Sequence, residues 1–294
     1  VAIISQLIAN GIIVGSIYAL VALGYTMVYG ILEFINFAHG EVLMIGAYIA
    51  YSLVVFVGLP LWLAMLLSML LSAGIGIVIE RLAYRPLRNA NRLSPLITAI
   101  ALSIFLQSVI LLIYGADIRT FRTQEITKGH TILGAVITDH QLLIIATTIT
   151  LMLVLYLFVT RTKLGTAMRA AADNRNLATM IGINTNRIIA IVFAIGSALA
   201  AAAGVLVGVE QNLEPTMGVT LGVKAFTAAV IGGIGNIYGA ALGGLAIGLI
   251  ENIGIWFIPS GYKDAIAFFI LVIMLLFRPR GILGGKKEED IRRA

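Results

Sequence analysis

Residues 225–250 read AFTAAVIGGIGNIYGAALGGLAIGLI, a stretch without a charge. About 20 apolar residues in a helix cross about 30 Å of hydrocarbon, so this stretch is long enough to span a membrane. Similar uncharged runs lie at 1–32, 42–79, 93–116, 140–160 and 188–209, with shorter ones at 252–262 and 265–277. The run 42–79 is too long for one helix and divides at Gly58-Leu59-Pro60, because proline cannot continue a helix. The run 1–32 has no basic flank and is too long for a cleaved signal peptide, so it reads as a span. No run alternates as a barrel strand does, and only helices and closed barrels satisfy their own backbone in lipid. The fold class is all-α: a single domain over 1–294, a polytopic transmembrane helix bundle of about eight membrane segments.

Composition agrees. Of 294 residues, 60% are hydrophobic and 12% are charged, against about 45–50% and roughly 25% in soluble domains. So few polar groups cannot cover the surface of a soluble protein. An ordinary soluble enzyme, a disordered chain and a nucleic-acid-binding domain are excluded, despite a pI near 9.7. Cysteine is absent, which removes disulfides, thiolate catalysis and Cys-ligated metals. Three histidines, His39, His130 and His140, leave little for a histidine metal site.

Basic residues set the orientation. Arg81, Arg85, Arg88 and Arg92 form one group, and Arg161, Lys163, Arg169, Arg175 and Arg187 a second. The tail 278–294 carries Arg278, Arg280, Lys286, Lys287, Arg292 and Arg293. These segments hold 15 of the 20 Lys and Arg, which places them in the cytoplasm by the positive-inside rule. The loop 115–140 balances its charges and the loop around Glu210 and Glu214 is acidic, so both read as external. An odd number of crossings must then lie between residue 222 and the tail, yet only two apolar pieces are available. The expectation is that 225–250 enters and leaves on one face as two half-helices, broken at Ile231-Gly232-Gly233-Ile234-Gly235-Asn236. The competing arrangement is three tilted passes with a short middle helix.

A similar interruption is expected in the first half. Residues 24–50 read GYTMVYGILEFINFAHGEVLMIGAYIA, in which Glu33, Asn36, His39 and Glu41 interrupt apolar sequence. Matching glycine-interrupted segments in two halves point to a transport site at a repeat interface. The candidate pathway residues are therefore Asn36, His39 and Glu41 with Gly232, Gly233, Gly235 and Asn236. For the polar cluster, a hydrated interfacial loop is the alternative; for the glycines after 239, close helix packing is preferred. Gly232-Gly233-x-Gly235 lacks the strand before it and the Lys-Ser/Thr after it that a nucleotide loop needs, so catalysis is not indicated. In the internal loop 161–187, helix formers over Thr166–Met180 with Gly182 behind them predict a short polar helix, either a connector or a docking element for a cytoplasmic partner.

These residues resemble a known family. GSIYALVALGYTMVYG, INFAHGE and MIGAY between Gly15 and Tyr48 are similar to the LivH-type permease subunits of branched-chain amino acid ABC importers. So are IERLAYRPLR at 79–88, ITAIALSIFLQ at 97–107, GTAMRAAADN at 165–174, GIN at 182–184, KAFTAAVIGGIGN at 224–236 and the tail RPRGILG. The likeness covers almost the whole chain, in order. It implies a multi-pass protein of the bacterial inner membrane that pairs with a homologous second permease of the LivM type. It also implies two ATP-binding subunits below and a periplasmic binding protein above. It implies further that this chain binds no cofactor and that ATP and Mg are used by the partners. The coupling loop then falls on Gly165, Arg169, Ala170, Asn174 and Gly182. A urea or short-amide importer permease is the alternative within the family. An ion-coupled secondary transporter, with Glu41 or His39 as a proton site, is the alternative outside it, disfavoured by an expected lack of buried acidic residues elsewhere at mid-span.

Overall fold

The computed structural model describes residues 2–32, 34–88, 90–91, 93–121 and 129–284. Glu33, Arg92 and the tail from residue 285 lie outside them. The helices are α1 (Ala2–Leu32), α2 (His39–Val55), α3 (Leu61–Ile79), α4 (Leu93–Tyr114), α5 (Asp139–Arg161), α6 (Lys163–Asp173), α7 (Arg175–Met180), α8 (Thr185–Glu210), α9 (Met217–Gly232), α10 (Ile237–Gly254) and α11 (Lys263–Phe277). A hairpin of β1 (Gly129–Ile132) and β2 (Ala135–Thr138) precedes α5. Among these residues, 7 helices are long and apolar enough to cross a membrane; α2 and α9 are shorter apolar helices.

Local chemistry sets the boundaries. Gly58 takes a left-handed φ of 76° and Pro60 stands immediately before α3, so the expected division of the run 42–79 occurs. Thr138 and Gln141 form a reciprocal capping box at the start of α5. Asn184 and Asn236 cap α8 and α10. By contrast, α2 and α9 begin at Ala38 and Thr216 without a side-chain cap.

The basic loops gather at one end of the bundle, where Arg88 bonds Asn186 at the start of α8. The N-terminal part of α1 lies at the other end: Gln6 exchanges hydrogen bonds with the backbone of Val136 in β2, at 3.1 and 2.8 Å. From there α1 descends antiparallel to α10, with Gly11 against Leu249, Gly15 against Leu245 and Gly30 near Gly235. Residues 34–38 then run non-helically back into the protein, and α2 starts part-way through the bundle. On the other side α8 climbs from the basic end, residues 211–216 turn back, and α9 starts at the same depth as α2, running the opposite way. Thus α1–α4 and α8–α11 trace the same path in inverted orientation, α1 packing along α10 as α8 packs along α3.

This arrangement corrects one expectation. The stretch 225–250 is not a same-face re-entrant segment. The leg 211–216 with α9, then α10, then α11 make three successive passes, and the odd parity is met that way. Residues 233–236 are the turn between α9 and α10 at the basic end. The second interrupted span is instead 211–216 with α9. Its break carries Pro215 rather than a glycine run, and its leg is partly covered by Phe121 and by the backbone pairing of Arg119 with Leu213. The two-halves pattern holds, with its second break about twenty residues earlier than the glycines suggested.

Candidate translocation site

The site is built where the two short helices meet. Gly40, in the first turn of α2, lies against Gly218 and Gly222 of α9; a Cβ on Gly40 would run into the Gly218 carbonyl. A Cβ on Gly218 would sit 2.8 Å from the Gly40 carbonyl and 2.6 Å from Glu41 Oε2. Only hydrogen at both positions lets the helix ends cross this closely. The uncapped N-termini bring the positive ends of two helix dipoles together in the protein interior. Depth follows from His39, whose ring lies against Gly24 of α1 and Gly196 near the middle of α8.

The side chains around this crossing are buried. Glu41 is 0% exposed; its Oε1 accepts a hydrogen bond from Ser103 of α4 at 3.0 Å, and its Oε2 has no hydrogen-bond partner among the described residues. The carboxyl therefore belongs to α2, is held from α4 and faces the first turn of α9. His39 packs edge-on to Tyr25 at 4.6 Å. Asn36 lies in the extended leg, and its Oδ1 accepts from the Tyr84 hydroxyl at 2.6 Å. Tyr84 ends a π-helical turn, Glu80–Tyr84, that continues α3 and rotates this ring inward against Phe34 and Phe193.

The remaining candidate residues lie at the basic end. Gly233 and Gly235 take φ of 104° and 93°, which L side chains rarely adopt, and Gly232 is pressed against Gly239. Asn236 caps α10 through Tyr238 N at 3.0 Å and Gly239 N at 3.2 Å, and its Nδ2 donates to Leu283 O at 2.9 Å. Ile282 N and Leu283 N donate to Ile231 O and Gly232 O, so the start of the tail is stitched to the turn. The fold therefore does not bring Gly232, Gly233, Gly235 and Asn236 to Asn36, His39 and Glu41. It does bring Gly235 to the expected coupling loop: a cleft of about 80 Å³ is lined by Gly235, Gly30, Met168 and Arg169.

In that loop the expected helix over Thr166–Met180 is two helices, α6 and α7, because Asn174 ends the first and caps the second through Asn176 N and Leu177 N, both at 3.0 Å. Gly165 is buried against the carbonyls of Phe158 and Val159, and the Arg169 guanidinium folds back onto Val159 O. Ala170 is half-buried beside it, and Gly182 (φ 89°) follows α7.

A second polar cluster went unnoticed in the sequence. Lys224 of α9 is 5% exposed and Glu251 of α10 is 0% exposed; Nζ lies 3.2 Å from Oε1. Tyr18 of α1 donates to Glu251 Oε2 at 2.9 Å, and Asp264 of α11 closes on the same ammonium. Glu251 is thus a buried carboxylate, as is Glu80, paired with Arg88, but both lie at helix ends, so neither contradicts the expectation that buried acidic residues are lacking elsewhere at mid-span. The available signal was that each carboxylate terminates a long uncharged run, which placed it at a boundary rather than inside.

A family model described as the permease component of branched-chain amino acid transport systems matches residues 7–275. The high-affinity branched-chain amino acid transport system permease protein BraD of Pseudomonas aeruginosa is 47% identical, over 97% of this chain and 97% of that protein. The LivH permease protein of Escherichia coli is 42% identical over 97% of each chain, and a probable LivH of Methanocaldococcus jannaschii is 29% identical over 95% of this chain and 92% of its own length. Full-length identity at this level, on a helical bundle with paired interrupted spans, shows that the chain belongs to the permease-component family of branched-chain amino acid transport systems.

Proposed function

We propose that this chain is the membrane-spanning permease subunit of an ATP-driven importer for branched-chain and related neutral amino acids, in the bacterial inner membrane. The observation that carries this reading is identity of 42% to 47% over 97% of the chain to permease proteins of high-affinity branched-chain amino acid transport systems. A second permease of the LivM type shares the pathway, two ATP-binding subunits supply the work, and a periplasmic protein delivers substrate. The basic end faces the cytoplasm. Asn36, His39 and Glu41 flank the path at mid-depth, where helix N-termini suit an amino acid's carboxylate and Glu41 its ammonium. Gly232, Gly233, Gly235 and Asn236 shape its cytoplasmic exit.

The coupling segment 161–187 meets the ATPases. Leu177, Met180 and Ile181 support this role: they are 57%, 80% and 74% exposed, an apolar patch at the basic end beside arginines. Gly165, Arg169 and Ala170 seat α6 on the end of α5, so a push on α7 reaches the cleft that Gly235 lines. Asn174 and Gly182 set where α7 starts and stops.

Reconstitution with the partner subunits tests the reading. Labelled leucine uptake should need ATP and all subunits, and unlabelled isoleucine should compete while urea does not. Competition by urea alone would assign the urea or amide class. Uptake that follows a proton or sodium gradient without ATPase subunits would overturn the importer reading.

A further inference from the structure

A groove of about 430 Å³ opens at the basic end between the continuation of α3 and the first turns of α8. Its mouth carries Arg81, Arg85 and Arg187, and its wall continues along Ile77, Ile191 and Ala194, residues of the spans themselves. The one carboxylate in its lining, Glu80, is already ion-paired with Arg88. Positive charge is concentrated beyond what this pairing offsets. Burial, with repulsion from Arg175 and Arg85, lowers the pKa of Arg88, and Glu80 opposes the shift. Arg187 also sits in the first turn of α8, where the helix dipole disfavours a cation. Among the described residues no acidic side chain is paired with Arg81, Arg85 or Arg187.

We propose that this groove binds an anionic phospholipid, its phosphate held by Arg81, Arg85 and Arg187 and an acyl chain laid along Ile77, Ile191 and Ala194. The amphipathic lining selects this occupant. A free phosphate leaves the apolar wall bare, and a protein loop entering from water would carry backbone amides into hydrocarbon. Guanidiniums at the cytoplasmic interface above an intramembrane groove match a lipid headgroup and its tail. This site is separate from the crossing of α2 and α9 and does not depend on which substrate is carried.

Native mass spectrometry of the purified complex tests it, titrating phosphatidylglycerol against phosphatidylcholine. Phosphatidylglycerol adducts should predominate, and Arg81→Gln/Arg85→Gln/Arg187→Gln should weaken them on the order of 100-fold. Arg161→Gln/Lys163→Gln, at the same end but outside the groove, should leave them unchanged. Ala194→Phe fills the apolar wall and should also expel the lipid with every arginine in place; it decides the matter if the triple variant does not fold. Equal retention of phosphatidylcholine, or adducts that survive Ala194→Phe, would overturn the proposal. Displacement by inorganic phosphate at lipid concentrations would reassign the site to a free anion. Loss of the ATPase subunits from the triple variant, with its lipid retained, would reassign it to a protein partner.

Discussion

The two halves of the bundle follow one path with different fastenings. In both, a long helix is followed by an extended leg, an uncapped short helix and two further spans. Even the glycines correspond: Gly76 of α3 seats on Ser197 of α8 as Gly248 of α10 seats on Gly15 of α1. Yet α2 is fastened by neutral contacts, with Gly46 on Ala201, Gly204 against the Leu43 carbonyl and Ser68 bonded to Gly46 O. Helix α9 has close neutral contacts too, with Gly232 on Gly239 and Gly243 against the Ala228 carbonyl, but adds a charged fastening through Lys224, Glu251, Asp264 and Tyr18. A gap of about 0.5–1 Å already forfeits about a quarter to a half of a dispersion contact, whereas Coulomb attraction falls only as the inverse of distance. The tie that distinguishes the second half is thus the longer-ranged one.

The largest expected effect breaks the element the halves share. Gly40→Leu drives a side chain into the Gly218 carbonyl, and uptake should fall to background at normal membrane abundance; full uptake would show that the short helices do not need their close crossing. Next comes the fastening that differs. Glu251→Ala leaves Lys224 buried with only the half-exposed Asp264, which should cost about 3–5 kcal/mol in denaturation of the purified protein. The neutral pair Lys224→Met/Glu251→Leu should regain most of that stability yet transport slowly, having lost the longer-ranged tie of α9. A double variant with unaltered transport would erase the distinction between the halves.

Smaller effects sharpen it. Tyr84→Phe leaves the buried Asn36 carbonyl oxygen without its 2.6 Å donor and should cost about 1–3 kcal/mol, with more effect on the first half than on the second by hydrogen exchange. Asn174→Ala removes the cap of α7 and should cost only about 1 kcal/mol. Its signature is functional: ATP hydrolysis continuing with reduced uptake in reconstituted vesicles. Unchanged coupling would remove Asn174 from the ATPase contact.

The legibility of the chain follows the range of the forces involved. Spans, the Pro60 division and the basic loops were readable because hydrocarbon thickness, proline geometry and charge bias act on contiguous sequence. The second break was misplaced because Gly232, Gly233 and Gly235 serve a tight turn as readily as an interruption, while the actual leg at 211–216 looks like any external loop. Glu251 escaped notice because its partners, Lys224, Tyr18 and Asp264, come from three other helices.

Sequence alone therefore determined that the chain is an all-helical membrane protein, which of its ends is basic and which family it resembles. Each rests on local composition or on motif order. Only the tertiary structure decided that α9–α11 make three passes, that the end of the bundle opposite the basic loops holds the start of α1, and that Gly40 and Gly218 face each other. The reason is physical: a glycine states what it permits, and its neighbour across the bundle decides whether that freedom becomes a turn, a break or a helix crossing.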